Sequence, residues 1–227
     1  MSMTREAFEA VREAIVSGTL EFGAQLSEVQ IADALGMSRA PVRAAFIQLR
    51  EMGLVKIVPQ AGTYVFHPSA EDVRNMSEFR SLLETEALRK AMAKDRGRVL
   101  SGLDGTIDDM TRAIAAQRWD GYRRADSAFH MVIMNGSGNR YLLKAYGLTS
   151  SALEALRVWL QGGTGGYREQ SFHEHTAIRD LLQDGSIEEA CDLLSHHILV
   201  INETLPPMTG APSNGRGDRD YAAALRR

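Results

Sequence analysis

Four side chains in the second half of the chain belong to residue types that bind metal ions: Asp126, His130, His175 and His197. Asp126 precedes His130 by one helical turn, and apolar residues flank His175 and His197 at helical spacing. The spacing predicts that all four side chains face a protein interior, where an unpaired imidazole or carboxylate is costly. A divalent cation, bound by neutral imidazole nitrogens and a carboxylate oxygen, would offset that cost. Satisfied core histidines and a polar pocket for a small molecule are the alternatives at this point.

Helical phase separates these histidines from their neighbours along the chain. His173 shares a helix face with Asp180, and His196 shares one with Glu189 and Asp192. Because charged residues occupy those faces, we expect His173 and His196 to face solvent.

Two arginines near the N-terminus form a second pattern with chemical meaning. Arg39 and Arg43 are four residues apart, so a helix would present both on one face. A guanidinium group can donate to O6 and N7 of guanine together in the major groove of DNA. Ser38 and the N–H groups at the start of that helix suit a phosphate. An ordinary helical hairpin with solvated arginines is the alternative.

The charge around these arginines is sorted along the chain. Four bases lie between residues 39 and 56, with Glu51 as the sole acid there: Arg39, Arg43, Arg50 and Lys56. The whole chain nevertheless carries a net charge of −3. A local basic segment in a slightly acidic protein favours a nucleic-acid contact at that segment, and we expect Arg50 to contact DNA together with Arg39 and Arg43.

The elements predicted around Arg39 and Arg43 are those of a winged helix-turn-helix. A first helix is expected over about residues 4–17. Ser27 then caps a short helix that ends at Gly36, and Ser38 caps a helix that ends at Gly53. Two β-branched runs, Val55–Val58 and Thr63–Phe66, predict a hairpin that serves as the wing.

Two residues of the hairpin turn complete the predicted DNA contacts. Gln60 and Gly62 lie in the segment that joins the two β-branched runs, and we expect them near the DNA backbone or the minor groove. Residues 1–67 are therefore predicted to form a DNA-binding domain.

No strand pattern recurs after His67-Pro68, and apolar residues repeat at helical spacing instead. We expect two helices before residue 115 and further helices over about 119–135, 139–161, 168–184 and 187–204. Residues 68–205 should form an all-α antiparallel bundle, and residues 206–227, rich in proline, glycine and arginine, a disordered tail. The predicted fold class is mostly α.

The composition of the 227 residues excludes several classes of protein. With 44% hydrophobic and 24% charged residues, the chain is neither collagen-like nor of low complexity. Its single cysteine, Cys191, rules out an intramolecular disulfide. No apolar run approaches the roughly 18 residues of a membrane span, and the N-terminus lacks a signal-peptide pattern. We expect a cytoplasmic protein without a membrane partner.

The segment Ser38-Arg39-Ala40-Pro41-Val42-Arg43, preceded by Leu26-Ser27-Glu28 and followed by Leu49-Arg50-Glu51-Met52-Gly53-Leu54, resembles the GntR family of bacterial transcription regulators. The usual motif is Ser-Arg-Thr-Pro-Val-Arg-Glu-Ala-Leu, so Ala40 and Ala44 depart from its threonine and glutamate. Val29 and Ala61 also stand where relatives often carry an arginine. The resemblance implies a homodimer that binds a palindromic double-stranded DNA operator.

The second half of the chain resembles the FCD effector domain of the FadR subgroup. The segments that carry the resemblance are Asp126-x2-Phe129-His130, His175-x2-Ile178 and His197-Ile198. The resemblance implies that Asp126, His130, His175 and His197 bind a divalent metal ion. Zinc is the first expectation, with nickel and manganese as alternatives, because ligand type alone discriminates poorly between them.

Arg80, in the segment Phe79–Glu84, also matches the first helix of that domain. The resemblance implies that Arg80 binds the carboxylate of a small organic acid, the effector of the regulator. A surface ion pair between Arg80 and Glu84, four residues apart, is the alternative.

Together these patterns predict a DNA-binding transcription regulator whose helical domain binds a metal and a small carboxylate effector. We expect no enzymatic activity. A metal-dependent enzyme that activates water is the rival from another class, but the sequence offers no general acid or base apart from the metal ligands. A regulator that senses the metal itself is the third alternative.

Overall fold

The computed structural model describes residues 2–161, 165–204 and 221–225. Within them the first elements along the chain are α1 (Met3–Val16), β1 (Gln25–Leu26), α2 (Glu28–Leu35), α3 (Arg39–Glu51), β2 (Val55–Val58) and β3 (Gly62–Val65). The later elements are α4 (Ala70–Ala115), α5 (Trp119–Gly136), α6 (Arg140–Tyr146), α7 (Ser150–Gln161), α8 (Gly165–Asp184), α9 (Ile187–Leu199), α10 (Ile201–Thr204) and α11 (Tyr221–Leu225).

The chain divides into two compact units. The first unit contains α1–α3, the three strands, the segment Gly147–Trp159 with most of α7, and α11. The second unit contains Glu71–Tyr146 and the segment from Leu160 through α8, α9 and α10. The predicted fold class, mostly α with a small sheet near the N-terminus, is confirmed.

Capping residues and one glycine fix the helix-turn-helix of the first unit. The Ser27 hydroxyl accepts a hydrogen bond from the Gln30 N–H at 3.3 Å and begins α2. Gly36 ends α2 with a φ of 65°, in the left-handed region that glycine adopts without strain. Helix α3 then packs against α1 and α2, with Val42, Phe46 and Leu49 buried. The opposite face of α3 is left to solvent.

The sheet has three antiparallel strands in the order β1-β3-β2. The predicted hairpin is confirmed, with Val55 opposite Val65 and Val58 opposite Gly62. Strand β1 was not predicted, because its two residues are too short to show an alternating pattern. It pairs with β3, Gln25 opposite Tyr64, and so ties the start of the helix-turn-helix to the wing.

Helices α4, α5, α8 and α9 supply the core of the second unit. Its largest buried apolar residues include Leu88, Leu103, Met110, Phe129, Ile133, Ile178 and Leu194. The two helices predicted before residue 115 are confirmed, because α4 is divided into two helices at Asp95, whose backbone is not helical (φ −158°, ψ 79°). The Asp95 side chain accepts from the Arg98 N–H at 3.0 Å, so it caps the second half of α4.

The predicted helix over 139–161 is wrong in its extent. Residues 147–149 form a turn that separates α6 from α7, and Gly147–Trp159 belongs to the first unit, not to the bundle. In that unit Glu154 Oε2 lies 3.8 Å from Arg12 Nη1 of α1. Leu153 and Leu156 are buried. Apolar spacing identified the helix but could not show which core its apolar face joins.

The predicted disordered tail, residues 206–227, is wrong at its far end. Tyr221–Leu225 forms helix α11, which packs against α1 and α2. The Tyr221 hydroxyl donates to the Gln25 carbonyl at 2.9 Å, and Tyr221 and Leu225 are buried. These two side chains are four residues apart and give a very short helix one apolar face. Residues 206–220, 226 and 227 lie outside the described residues.

Within the described ranges, no helix combines the length and the apolar character needed to span a membrane.

Candidate nucleic-acid interface and candidate metal centre

The solvent face of α3 carries the three arginines predicted to contact DNA. Arg39, Arg43 and Arg50 are all exposed, and so is Ser38, the N-cap residue. Among the described residues, the Ser38 hydroxyl makes no capping hydrogen bond to α3, so the helix N–H groups do not compete with a phosphate for its oxygen. The first two turns of α3 thus combine N–H groups, the Ser38 hydroxyl and two guanidinium groups, which together suit phosphate and base edges.

Glu28 holds Arg43 in a fixed orientation. Arg43 Nη2 donates to Glu28 Oε2 at 2.9 Å, and Arg43 Nε lies 3.2 Å from both carboxylate oxygens. The hydrogen bond to Glu28 raises the pKa of the Arg43 guanidinium above its ordinary value. The Arg43 side chain is still 66% exposed, so a ligand can reach it. Sequence reasoning did not find this pair, because residues 15 apart show no periodic relation.

Two side chains from neighbouring strands brace the wing turn. Gln25 Nε2 donates to the Ala61 carbonyl at 3.2 Å, and the Tyr64 hydroxyl donates to the same carbonyl at 3.0 Å. Gly62 has a φ of 124°, and a Cβ there would lie 3.0 Å from Gln25 Nε2. Gln60 is exposed at the turn with a φ of 62°. The structure thus places Gln60 at the tip of the wing and Gly62 at the start of β3.

Three histidines from three helices meet inside the second unit. His130 comes from α5, His175 from α8 and His197 from α9, all three are buried, and one ring nitrogen from each lies within 4.8 Å of the others. His175 Nε2 is 3.4 Å from His130 Nε2 and 3.8 Å from Asp126 Oδ1. The structure therefore brings together all four residues that the sequence singled out.

The histidines predicted to face solvent do so. His173 and His196 are exposed, although they lie on the same helices as His175 and His197. The apolar flanks of the inward pair and the acidic flanks of the outward pair account for the difference.

Two glutamates orient the histidine rings from outside the cluster. Glu84 Oε2 lies 2.7 Å from His130 Nδ1, and Glu174 Oε2 lies 2.7 Å from His197 Nδ1. An ionised carboxylate only accepts hydrogen bonds, so each contact favours a proton on Nδ1 and a lone pair on Nε2. That tautomer leaves Nε2 of both rings ready to bind a cation.

Hydrogen bonds keep the Glu174 carboxyl group ionised. Burial raises its pKa, but the hydrogen bonds from His197 and Gln170 lower it more, and the net result lies below the ordinary value. Neither glutamate was predicted as part of the site. The sequence pattern relates Glu84 only to Arg80, four residues away, and Glu174 lies between His173 and His175, which face opposite ways.

Arg80 lies inside the second unit, and the ion pair with Glu84 that was the alternative at the surface forms there in the interior. Its Nε donates to Glu84 Oε1, and its side chain is 4% exposed. Burial lowers the pKa of the guanidinium, but Glu84 and Tyr146 raise it more, so the group stays charged. Arg80 Nη2 is buried and has no hydrogen-bond partner among the described residues. One donor of a buried cation is therefore left for another group.

The donor set of the cluster fits a divalent cation. Three imidazoles and one carboxylate are ligands that zinc, nickel and manganese accept in proteins. Metal-binding histidines usually donate their outer ring N–H to a carboxylate, as His130 and His197 do here to Glu84 and Glu174. The ligand atoms come from α5, α8 and α9, which pack around one apolar core, so regular helices and not loops position them.

Comparison with protein-family models finds two matches that together span most of the chain. Residues 3–65 match the model described as bacterial regulatory proteins, gntR family. Residues 75–199 match the FCD domain.

Individual relatives agree with these matches. A helix-turn-helix-type transcriptional regulator from the TAR-I ttuE-ttuC' intergenic region of Agrobacterium vitis is 34% identical over 131 residues, which cover 56% of this chain and 77% of that protein. The transcriptional repressor RspR of Escherichia coli is 31% identical over 131 residues, which cover 58% of either chain. The match thus spans less than two thirds of RspR.

A crystal structure of a GntR transcriptional regulator from Rhodococcus sp. RHA1 superposes with a TM-score of 0.75. It is 26% identical in sequence, and the match covers 89% of this chain and 97% of that one.

Proposed function

This chain belongs to the GntR family of bacterial regulatory proteins, carries an FCD domain and is a DNA-binding transcription regulator; from that premise we propose that its second unit binds a divalent metal ion and a small organic acid that together modulate operator binding. The convergence of three imidazole groups beside Asp126 carries the proposal. The protein itself is not an enzyme, because its family and the relatives it matches are transcription regulators.

In this proposal the exposed face of α3 contacts the operator. Arg39 and Arg43 donate to base edges in the major groove, whereas Ser38 and Arg50 contact phosphates. Gln60 and Gly62 bring the wing close to the DNA backbone. A homodimer presents two such faces to the two halves of a palindromic site.

In the second unit, His130, His175, His197 and Asp126 hold the cation. Glu84 and Glu174 keep two of the rings in the tautomer that offers Nε2. The bound cation supplies a fixed positive charge, with coordination positions left for the oxygens of an organic acid. Arg80 supplies a second positive group, and its free Nη2 donor suits a carboxylate. The acid regulates DNA binding only if it has unequal affinity for the DNA-competent and the DNA-incompetent states.

Metal content after zinc loading tests the cation site. We expect about one zinc per wild-type chain by elemental analysis, and a loss of most of that zinc in His175→Ala. His173→Ala is the matched control, because His173 lies two residues away on the same helix but is exposed. Full zinc occupancy in His175→Ala would refute the ligand assignment.

Operator release distinguishes a regulator that needs an organic acid from a direct metal sensor. The DNA probe is a site selected by the wild-type protein from a random library, measured by fluorescence anisotropy. The proposal predicts that zinc alone leaves the complex intact and that zinc with a small dicarboxylate such as succinate weakens it. Release by zinc alone would favour the direct metal sensor.

A further inference from the structure

One carboxylate is shared between two buried side chains to which the proposed function assigns different ligands. Glu84 Oε1 accepts from Arg80 Nε, and Glu84 Oε2 lies 2.7 Å from His130 Nδ1. Glu84 is fully buried, so bulk water does not compete for either oxygen. Glu84 therefore joins a residue assigned to the organic acid to a residue assigned to the cation.

Glu174 makes the matching contact on the other side of the cluster but has a different second partner. Its Oε2 lies 2.7 Å from His197 Nδ1, and its Oε1 accepts from Gln170 Nε2 at 2.9 Å. Gln170 is neutral and exposed. Each glutamate thus orients one imidazole, and of these two glutamates Glu84 is the one whose described hydrogen bonds include Arg80.

We propose that Glu84 is a positioning residue that couples the cation site to an anion site at Arg80, so that each ligand strengthens binding of the other. This inference rests on the proposed function. When His130 Nε2 is bound to a cation, its Nδ1–H becomes a stronger donor and draws the negative charge of Glu84 toward it. The Arg80 guanidinium is then less neutralised and attracts a carboxylate more strongly. Because binding free energies are reciprocal, the carboxylate must strengthen cation binding by the same factor.

An amide at position 84 cannot maintain both contacts. If the amide oxygen of Glu84→Gln accepts from Arg80, its NH₂ group faces His130 Nδ1. His130 must then carry its proton on Nε2, the atom that the cation needs. If the oxygen faces His130 instead, the NH₂ group meets the N–H of Arg80. The substitution therefore separates the two sites while preserving the shape of the side chain.

Zinc affinity with and without an organic acid tests the coupling. Zinc binding to the full-length protein is measured by competition with a chromophoric chelator, in the absence and presence of succinate. We expect succinate to raise the zinc affinity of the wild type by at least about fivefold. Glu174→Gln should lower zinc affinity by about 10–100-fold but keep the succinate effect. Glu84→Gln keeps only the part of the succinate effect that comes from direct contact between the acid and the cation, so succinate should raise its zinc affinity by less than in the wild type.

The possible outcomes separate this inference from the proposed function. A succinate effect in Glu84→Gln equal to that of the wild type overturns the coupling and leaves the cation site in place. A wild-type zinc affinity that succinate leaves unchanged also overturns the coupling and leaves the cation site in place. A wild type that binds no zinc overturns the proposed cation site and the coupling with it.

A second measurement needs no variant at position 84. The Nε–Hε signal of Arg80 can be followed by NMR in ¹⁵N-labelled wild type, with assignment from its absence in Arg80→Lys. We expect zinc alone to shift this signal in the wild type and in Glu174→Gln. An Arg80 signal that does not move at full zinc occupancy overturns the coupling.

Discussion

The exposed face of α3 and the buried histidine cluster hold polar side chains in opposite ways. On α3 the arginines are exposed, and Arg43 pairs with Glu28 where solvent still reaches the guanidinium group. In the cluster, His130 and His197 each lie 2.7 Å from a carboxylate, and Arg80 is paired with Glu84. Removing a side chain should therefore cost ligand binding alone on α3, but both ligand binding and folding free energy in the cluster.

The largest effect is expected from breaking the buried ion pair. Glu84→Ala leaves Arg80 charged and unpaired in the interior, which should lower the free energy of unfolding by about 3–5 kcal/mol. Chemical denaturation measures this change. The matched control is Glu188→Ala, which removes a carboxylate from the exposed pair with Arg89 and should leave stability unchanged. Equal losses in both variants would contradict the contrast between buried and exposed pairs.

On α3 we expect a loss of DNA binding without a loss of stability. Arg39→Ala should weaken binding to the selected operator by about 1–3 kcal/mol per site, because one base contact disappears. Fluorescence anisotropy with operator and random DNA measures the discrimination. Arg5→Ala, which removes an exposed arginine from α1, should bind operator as the wild type does. Undiminished discrimination in Arg39→Ala would reject the assignment of α3 as the recognition helix.

A single hydroxyl tests whether α11 is docked on the first unit. Tyr221→Phe removes the donor to the Gln25 carbonyl and should lower the stability of that unit by about 1 kcal/mol. Thermal unfolding followed by circular dichroism measures the shift. Tyr141→Phe is the control, because Tyr141 is 67% exposed and should show no shift. If both variants unfold at the wild-type temperature, α11 does not contribute to the first unit.

The smallest effect concerns the orientation of Arg43. Glu28→Gln should free its guanidinium and remove a negative charge beside the DNA, so binding to random DNA should strengthen. Operator binding should gain less, because Arg43 is no longer held in one orientation. The ratio of operator affinity to random-DNA affinity, measured at one salt concentration, should therefore fall. A ratio that rises would show that Glu28 opposes base recognition.

Local patterns were sufficient to predict most of the fold. Ser27 and Gly36 marked both ends of α2, and β-branched runs marked the hairpin. The elements that the sequence did not predict are short: β1 has two residues and α11 has five. Both depend on contacts with residues far away in the sequence. The helix predicted over 139–161 is divided by the turn at 147–149, and most of its second part packs in the first unit, which no local pattern can show.

The same limit applies to the cluster. His175 and His197 were predicted to face inward because their neighbours one turn away are apolar, and both are buried. Glu84 and Glu174 were missed because their role depends on imidazoles that other helices supply. Periodicity shows which way a side chain points, but only packing shows what it meets.

Anomalous scattering at the zinc edge, from crystals of zinc-loaded protein, tests the central claim most directly. The account predicts one strong peak per chain, about 2.0–2.1 Å from a ring nitrogen of each of His130, His175 and His197. A peak at exposed His173 or His196, with none inside the cluster, would contradict it.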